Sequence, residues 1–379
     1  MAMVDVRSPL TRARRVVVKI GSRTLAGDRG VFARLAASIA ARRGAAFVVV
    51  SSGAIALGMK KLGYRARPKE MARLQAAAAA GQSLLMRAYE EAFDARDLAV
   101  AQVLLTHADL ADRTRANNAR AALGALLDAG AIPILNENDS VAVEEIKFGD
   151  NDQLAAMVAP LVDADLVVLL SDVEGLLDAG GRRIAVVRDV AKEAVPHVRA
   201  SRPGGSPGTD SRASSSGAVG SGGMASKVEA ARRATLAGAN VVVADARVPG
   251  ILDAVLAGDD VGTLFVGARE RMSAKKYWIA FTLRPRGEMV LDRGAAEAVR
   301  AKGKSVLAVG VLGVRGDFRA GDAVRVVDVE GKEIARGLAR CGAGDAAMVA
   351  GKTRAELPPE LAELAVVVHA DELVVGGHG

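Results

Sequence analysis

The chain has 379 residues, which exceeds the usual size of a domain with a single hydrophobic core. We therefore expect a large domain of roughly 250 residues and a smaller one. Half of the residues are hydrophobic and only 3% are aromatic, which indicates an aliphatic core and excludes a disordered chain. The formal charge of +7 lies entirely before residue 284, where 37 basic residues face 30 acidic ones, because the remainder holds 14 of each sign.

A single cysteine, Cys341, excludes an intramolecular disulfide and a cysteine-rich metal site, and it favours a reducing, cytoplasmic location. The basic N-terminal segment is apolar for only a few residues before Lys19, too few for a signal peptide or a membrane span. The four histidines lack metal-ligand spacing, and no Ser-His-Asp arrangement is evident. We therefore expect neither a histidine or cysteine metal centre nor a serine hydrolase.

Short β-branched runs alternate with helical patterns along about the first 265 residues. Near-continuous apolar strands separated by helices are typical of a parallel sheet that is covered by helices on both faces. The sequence therefore predicts a doubly wound α/β fold. The predicted strands are residues 15 to 20, 47 to 52, 98 to 105, 132 to 137, 165 to 172, 240 to 245 and 263 to 266, and the predicted helices are residues 31 to 43, 70 to 95, 115 to 128, 152 to 162 and 224 to 237.

Two later stretches differ in texture from this pattern. Residues 201 to 223 are dominated by Gly, Ser and Pro, and they form either a flexible linker or a mobile loop that closes over phosphate. We favour the loop, because the stretch runs directly into a glycine-rich helix start that carries Lys227. After residues 277 to 286, short strand-like pieces punctuated by Gly and Asp predict a small, mostly antiparallel β barrel.

Polar stretches follow several predicted strands, namely GSRT, SSGAIALG, NENDSV and SDVEGL. In open α/β sheets ligands bind at the carboxyl ends of the strands, where loops and helix N-termini converge. Lys19 closes the first strand, and Lys227 follows Gly222 and Gly223. Either lysine alone could be a solvated surface residue, but two lysines beside glycine-rich backbone at matching positions favour a phosphate site.

The segment SSGAIALG is a weaker signal. Gly53 and Gly58 would let a nucleotide or an acyl phosphate approach main-chain N–H groups. The pattern matches neither a P-loop nor a dinucleotide fingerprint, and an ordinary turn from strand to helix would use the same residue types.

Carboxylates and amides crowd the segments NENDSV and GDND. Clustered carboxylates raise each other's pKa unless cations offset them, so Asp139, Asp150 and Asp152 predict nearby positive groups, such as Lys19 and Lys227.

The neighbouring amides suit an amino-acid ligand. Asn136 and Asn151 offer both donors and acceptors, which the carboxylate and the ammonium of an α-amino acid require. An alternative is that Asn151 and Asp152 only cap the next helix and that Asp139 caps a turn, although capping and binding can coexist. Phosphoryl transfer to a carboxylate needs no histidine, because the nucleophile is already ionised at neutral pH.

Five motifs in order resemble the amino acid kinase family, and within it the bacterial glutamate 5-kinases: VVVKIGS, VVVSSGAIALG, NENDSVAVEEIKFGDND, LLSDVEGL and GSGGMASK. The match spans about residues 14 to 267. GEMVLDRGAAEAV and GDFRAGDAVRVVD resemble the PUA domain that many of these kinases carry. The resemblance implies a catalytic domain at residues 1 to 275, with a mostly parallel sheet between helices, and a PUA-like β barrel at residues 276 to 379.

The resemblance implies transfer of the γ-phosphate of ATP to the side-chain carboxylate of L-glutamate, with Mg²⁺, as the first step of proline synthesis from glutamate. In that reading Lys19 and Lys227 neutralise the transferred phosphoryl group and Asp152 orients both lysines. No residue is assigned as a metal ligand. The implied glutamate contacts are Ser52, Gly53, Asn136, Asp139, Asp150 and Asn151, and the implied ATP contacts are Lys19, Ser171, Asp172, Ser221, Gly222, Gly223, Met224, Ala225, Ser226 and Lys227.

The resemblance also implies partners. Proline is the expected feedback inhibitor at or overlapping the glutamate site, and a homo-oligomer is expected. Because acyl phosphates are labile, a transient contact with glutamyl phosphate reductase is expected as well. We expect no membrane contact, and the charge-balanced C-terminal segment, with Phe318 as its one aromatic residue after Arg284, argues against a nucleic acid partner.

Two alternatives compete with this interpretation. The chain could phosphorylate another substrate of the family, such as acetylglutamate, aspartate or a nucleoside monophosphate, but NEND, GDND and the PUA-like segment argue against it. It could be an RNA binder with a degenerate kinase domain, but Lys19, Asp152 and Lys227 are all present. One departure affects the nucleotide side, because DAGGRR follows Leu177 where the family usually has an aromatic residue and an Asp-Pro pair.

Overall fold

The structure, a computed structural model, describes residues 6 to 28, 30 to 141, 151 to 200 and 223 to 376. It divides the chain into two compact units, Met1–Arg271 and Met272–Gly379. The boundary predicted after residue 275 falls within the helix Ala274–Tyr277 of the second unit.

The first unit is built on one eight-stranded sheet. Its strands are β1 (Arg15–Ile20), β2 (Ala46–Ser51), β3 (Val100–Leu105), β4 (Ile132–Glu137), β5 (Leu166–Ser171), β6 (Val186–Val187), β7 (Asn240–Asp245) and β8 (Thr263–Phe265). They lie in the order β3-β4-β2-β1-β5-β7-β8-β6, and every pairing is parallel except that of β7 with β8. The predicted fold class, a mostly parallel α/β sheet, is confirmed.

Helices connect these strands. They are α1 (Ser22–Gly27), α2 (Gly30–Ala41), α3 (Ala54–Lys61), α4 (Met71–Asp94), α5 (His107–Ala111), α6 (Arg113–Asp128), α7 (Asn151–Val158), α8 (Val195–Ala200), α9 (Met224–Leu236) and α10 (Ile251–Ala257). Helices α2, α4, α6, α7 and α9 correspond to the five predicted helices. Within the described ranges, none of the helices combines the length and apolar composition needed to cross a bilayer.

Strand β1 shows how the sheet separates two cores. Val16, Val18 and Ile20 point into one hydrophobic cluster, which includes residues of α2 and α4, whereas Val17 points into the other, which includes residues of α7 and α9. Successive side chains of a strand alternate between faces, so Lys19 lies on the same face as Val17. This alternation places a lysine beneath α7 and α9.

Helices α3 and α4 approach each other more closely than side chains would allow. A Cβ atom added to Gly58 would lie 1.7 Å from the carbonyl oxygen of Ala77, and one added to Gly81 would lie 1.7 Å from that of Ala54. Both positions therefore require glycine. The contact fixes the start of α3, which follows the loop after β2, against the middle of α4.

The second unit has a sheet and a core of its own. Its strands are β9 (Gly287–Leu291), β10 (Val306–Leu307), β11 (Val311–Gly316), β12 (Ala323–Val327), β13 (Glu333–Leu338), β14 (Val366–Val368) and β15 (Leu373–Val375), and its helices are α11 (Ala274–Tyr277), α12 (Arg293–Lys302) and α13 (Ala343–Val349). Five strands form a sheet in the order β11-β9-β12-β13-β15, in which only β9 with β12 is parallel, and β10 pairs with β14. The predicted mostly antiparallel second unit is confirmed.

Candidate active site

The polar motifs meet at the carboxyl ends of four adjacent strands, β4, β2, β1 and β5. Asn136 lies near the end of β4, Ser52 follows β2, Lys19 lies near the end of β1, and Ser171 ends β5. Neighbouring strands are about 4.8 Å apart, so these side chains occupy one short edge of the sheet. This is the edge at which parallel α/β sheets bind ligands.

A buried carboxylate lies between two lysines at the centre of this edge. The Nζ atom of Lys19 is 2.5 Å from Oδ1 of Asp152, and the Nζ atom of Lys227 is 3.0 Å from Oδ2. Asp152 has no exposed surface, and the lysines are only 7% and 3% exposed. We call these three residues the charged centre.

The charged centre has a net positive charge that favours binding of an anion. Burial alone would raise the pKa of Asp152, but the charges and hydrogen bonds of Lys19 and Lys227 outweigh it and hold that pKa below its ordinary value. The carboxylate is therefore ionised at neutral pH, and one negative charge faces two ammonium groups. The surplus positive charge in a site shielded from water favours a phosphate group.

Local structure explains how three distant positions reach one point. Asp152 lies in the first turn of α7 and Lys227 in the first turn of α9, and both helices contribute to the hydrophobic cluster on the Lys19 face of the sheet. Gln153 ties the two helix starts together, because its Nε2 donates a hydrogen bond to the carbonyl oxygen of Ser226 at 3.1 Å.

A group of amides lies next to the charged centre. The Nδ2 atom of Asn151 donates to the carbonyl oxygen of Ser51 and to Oγ of Ser52, both at 2.8 Å, and lies 3.2 Å from Oδ1 of Asn136. The Oδ1 atom of Asn151 is buried and has no hydrogen-bond partner among the described residues. We call Ser52, Asn136 and Asn151 the amide cluster.

Two of the other predicted glutamate contacts, Gly53 and Asp139, lie among the described residues. Gly53 has φ of 100°, a left-handed conformation that favours glycine, and it directly precedes α3. Asp139 is half-buried in the turn after β4. Asp150 lies outside the described residues.

The predicted nucleotide contacts lie on the other side of the charged centre. Asp172 follows β5, and its Oδ2 accepts a hydrogen bond from Nη1 of Arg23 at 2.8 Å, which lowers the pKa of this carboxyl. Gly223 precedes α9 in an extended conformation and provides no side-chain cap, so the start of this helix has no capping side chain. The predicted contacts at the start of α9 that the structure describes are Gly223, Met224, Ala225, Ser226 and Lys227, whereas Ser221 and Gly222 lie outside the described residues.

Comparison with known proteins identifies the family of the chain. The model of the amino acid kinase family matches residues 14–245, and that of the PUA domain matches residues 287–360. The chain belongs to the amino acid kinase family. It is 48% identical to glutamate 5-kinase of Myxococcus xanthus, covering 97% of this chain and 98% of the relative, and 45% identical to that of Thermus thermophilus, with the same coverage. Among solved structures, carbamate kinase from Giardia lamblia bound to AMP-PNP matches with a TM-score of 0.47 and 16% identity, covering 68% of this chain and all of that chain.

Sequence reasoning missed several residues that support the site of this amino acid kinase. Arg23 pairs with Asp172, and Nη2 of Arg247 donates to the carbonyl oxygen of Asp172 at 3.1 Å. Tyr89 is fully buried, and its hydroxyl donates to Oγ of Ser51 at 2.9 Å beneath the amide cluster. Burial raises the pKa of Tyr89, so this hydroxyl stays protonated.

Gln82 was missed as well, although the sequence holds a signal for it. The buried residues of α4 recur every three or four positions, and Gln82 is the one amide in that otherwise apolar or small stripe: Leu74, Ala77, Ala78, Gly81, Gln82, Leu85, Met86, Tyr89 and Phe93. An amide at a core position needs a polar partner. Its partner is Asn136, whose Nδ2 donates to Oε1 of Gln82 at 2.8 Å.

Proposed function

We propose that this chain transfers the γ-phosphate of ATP to the side-chain carboxylate of L-glutamate, giving L-glutamyl 5-phosphate and ADP, the first step of proline biosynthesis from glutamate. The observation that carries the proposal is the charged centre, Lys19, Asp152 and Lys227, directly beside the amide cluster. The full-length similarity to glutamate 5-kinases supports the same activity.

The charged centre supplies alignment and charge neutralisation. In phosphoryl transfer the protein's main tasks are to hold the nucleophile in line and to stabilise charge on the phosphoryl oxygens. Lys19 and Lys227 contact those oxygens in our proposal, while Asp152 acts as a positioning residue that holds the two ammonium groups apart at 2.5 and 3.0 Å from its oxygens. No proton transfer is needed, because the attacking carboxylate is already ionised.

The amide cluster holds the amino-acid substrate. The acceptor Oδ1 of Asn151, which has no partner among the described residues, suits an ammonium group, and the hydroxyl of Ser52 is half-buried beside it. We propose that Gly53, Asp139 and Asp150 complete this site.

We propose that the triphosphate of ATP lies over the start of α9 and against Lys227, with Ser171 and Asp172 on the side of β5. Helix N-termini favour phosphate because their N–H groups and dipole attract negative charge. The described residues include no group of three or more Asp, Glu, His or Cys that could hold a metal ion. We propose that Mg²⁺ is carried by the nucleotide phosphates, whose charge it would reduce.

The proposal is tested by glutamate-dependent ADP release, with hydroxylamine present to trap the acyl phosphate as a hydroxamate. We expect Lys227→Ala to lower this rate by at least about 100-fold, since it removes one of two cations from the transferred group. Lys192→Ala is the control, because this lysine is 84% exposed and pairs with the neighbouring Asp189 at 3.2 Å. Turnover with aspartate or acetylglutamate, but without glutamate dependence, would contradict the assignment of the amide cluster to glutamate.

Further expectations of the family resemblance stay predictions. These are proline as a feedback inhibitor at the amide cluster, a homo-oligomer, a transient contact with glutamyl phosphate reductase and a cytoplasmic location. Proline shares the ammonium and the α-carboxylate of glutamate, so we propose that the two compounds compete. Inhibition by proline that added glutamate fails to relieve would contradict this proposal.

A further inference from the structure

Gln82 carries a buried donor that has no partner among the described residues. Its side chain is only 9% exposed, and its Nε2 makes no hydrogen bond to any residue that the structure describes. A buried amide donor without a partner loses its hydrogen bonds to water and gains none in return, so such groups are rare in folded proteins unless a ligand satisfies them.

Surrounding hydrogen bonds decide which end of the Gln82 amide is the donor. Oδ1 of Asn136 accepts from the backbone N–H of Glu137 at 2.9 Å and from Nδ2 of Asn151 at 3.2 Å. The opposite end of Asn136 must therefore be the NH₂ group, which donates to Gln82 at 2.8 Å. The atom of Gln82 that receives it is Oε1, which leaves Nε2 as the unused donor.

The fold brings this donor to the amino-acid site. Gly81 lets α4 approach α3 at backbone distance, and α3 starts directly after Ser52 and Gly53. Gln82, the next residue of α4, reaches Asn136 of the amide cluster. The unused donor and the unused acceptor of Asn151 therefore belong to one hydrogen-bonded group of side chains.

Strand order indicates which end of the substrate this donor meets. Lys19 is on β1 and Asn136 is on β4, and β2 lies between them in the sheet. Two strand spacings amount to about 10 Å. The accepting carboxylate must lie at the charged centre, so the opposite end of glutamate, with the ammonium and the α-carboxylate, lies toward β4 and Gln82.

We infer that Nε2 of Gln82 donates a hydrogen bond to the α-carboxylate of the bound amino acid, while Oε1 of the same side chain holds Asn136. This inference rests on the proposed function and extends it to a specificity-determining residue that the family motifs do not contain. Its consequence is that Gln82 distinguishes a carboxylate from a neutral group at the α-carbon.

Gln82→Glu is the most informative variant, because it has nearly the same shape and keeps an acceptor for Asn136 but replaces the donor with a second acceptor. Its test compares kcat/KM for L-glutamate with that for L-glutamic acid α-amide, which retains the accepting side-chain carboxylate. Where turnover of the α-amide is slow, its inhibition constant against glutamate replaces kcat/KM. Gln82→Met, which removes both hydrogen bonds, serves as the second variant.

We expect the preference of Gln82→Glu for glutamate over the α-amide to fall by at least about 100-fold relative to the unmodified chain, because the new carboxylate repels the substrate carboxylate and accepts from the amide. In Gln82→Met the preference falls by about tenfold. The KM for ATP stays within about twofold in both variants, since the nucleotide contacts are unchanged.

An unchanged preference in either folded variant would overturn the inference, as would an equal loss with both substrates, which indicates a purely structural role. If neither variant shows a cooperative unfolding transition, Gln82 is required for the fold itself, and the inference is overturned for that reason. Gln102→Glu is the matched control, because this glutamine is exposed on β3 and undergoes the same change of charge. If the unmodified chain itself shows no glutamate-dependent turnover, it is the proposed function that fails.

Discussion

A single carboxylate between two buried ammonium groups makes Asp152 the residue on which the charged centre depends. Asp152→Asn keeps the shape but leaves Lys19 and Lys227 without its counter-charge. Breaking a buried ion pair from one side costs about 3–5 kcal/mol, so we expect the free energy of unfolding to fall by that amount. Glutamate-dependent kcat falls by at least about 100-fold, because the lysines lose the group that positions them. Urea unfolding and the hydroxamate assay measure the two effects.

The pH dependence of this effect has a definite sign. The pKa of Asp152 is lowered in the folded chain, so its contribution to stability is complete above the ordinary value of 3.8 and is lost only as the pH falls through the lower folded value. The difference in unfolding free energy between Asp152→Asn and the unmodified chain is therefore constant from pH 8 to about 5 and narrows below about pH 4.

Asp163→Asn provides the matched control for Asp152→Asn. Asp163 is 63% exposed and lies 3.7 Å from Arg15, and exposed pairs contribute about 1 kcal/mol or less. Its φ of 48° suits asparagine as well as aspartate. Equal losses of stability in the two variants would contradict the special role of the buried carboxylate.

The sequence predicted some site residues and missed others for a physical reason. Lys19, Asn136, Asp152 and Lys227 stand in motifs whose residue types already indicate charge or hydrogen bonding. Gln82 lies in an alanine-rich helix, and its role depends on a partner 54 positions away. A contact between such distant segments depends on strand order and helix packing, which local patterns do not encode.

At the scale of elements, the glycine contact between α3 and α4 supports the proposed amino-acid site. Gly81→Ala would place a Cβ atom 1.7 Å from the carbonyl oxygen of Ala54, so the two helices must separate. We expect a loss of stability of about 1–3 kcal/mol from this overpacking. The KM for glutamate rises more than that for ATP, because Gly53 at the start of α3 and Gln82 of α4 belong to the proposed glutamate side and neither helix carries a proposed nucleotide contact. Thermal unfolding and steady-state kinetics test both expectations.

Gly124→Ala is the control for that substitution. Gly124 lies inside α6, and a Cβ atom there would meet nothing within 4 Å. Alanine in an open helical position stabilises by up to about 1 kcal/mol relative to glycine. A similar loss of stability in both variants would show that close helix packing is not the cause of the Gly81→Ala effect.

Element prediction succeeded where one continuous pattern defined a strand. Arg15–Ile20, Ile132–Glu137 and Asn240–Asp245 have the predicted bounds, because each contains an uninterrupted apolar run. The two-residue strand Val186–Val187 was not predicted, since so short a run has no period. The segment before this strand is stabilised by a residue distant in sequence: the guanidinium of Arg7 donates hydrogen bonds to the carbonyl oxygens of Ala185, Asp259 and Val261.

At the scale of the whole molecule, the two units have separate hydrophobic cores. The clusters of the first unit lie on the two faces of the eight-stranded sheet, and the third cluster contains residues of the second unit, among them Met289, Phe318 and Cys341. The change of texture near residue 277 predicted a second domain for this reason, since short strands with Gly and Asp turns cannot continue a parallel α/β sheet. Separate cores allow each unit to unfold on its own.

Cys341 tests this independence in the full chain. It is the single cysteine, 5% exposed in the core of the second unit, and burial raises its pKa. Because the thiolate is the reactive form, labelling by a thiol reagent reports the opening of the second unit. MgATP and glutamate at 100 times their dissociation constants would stabilise the first unit by about 2.7 kcal/mol for each ligand. We expect the labelling rate to stay unchanged while the main thermal transition rises, with Cys341→Ser as the unlabelled control. Slower labelling with substrates bound would mean that the two units open as one cooperative body, and that separate cores do not suffice for separate unfolding.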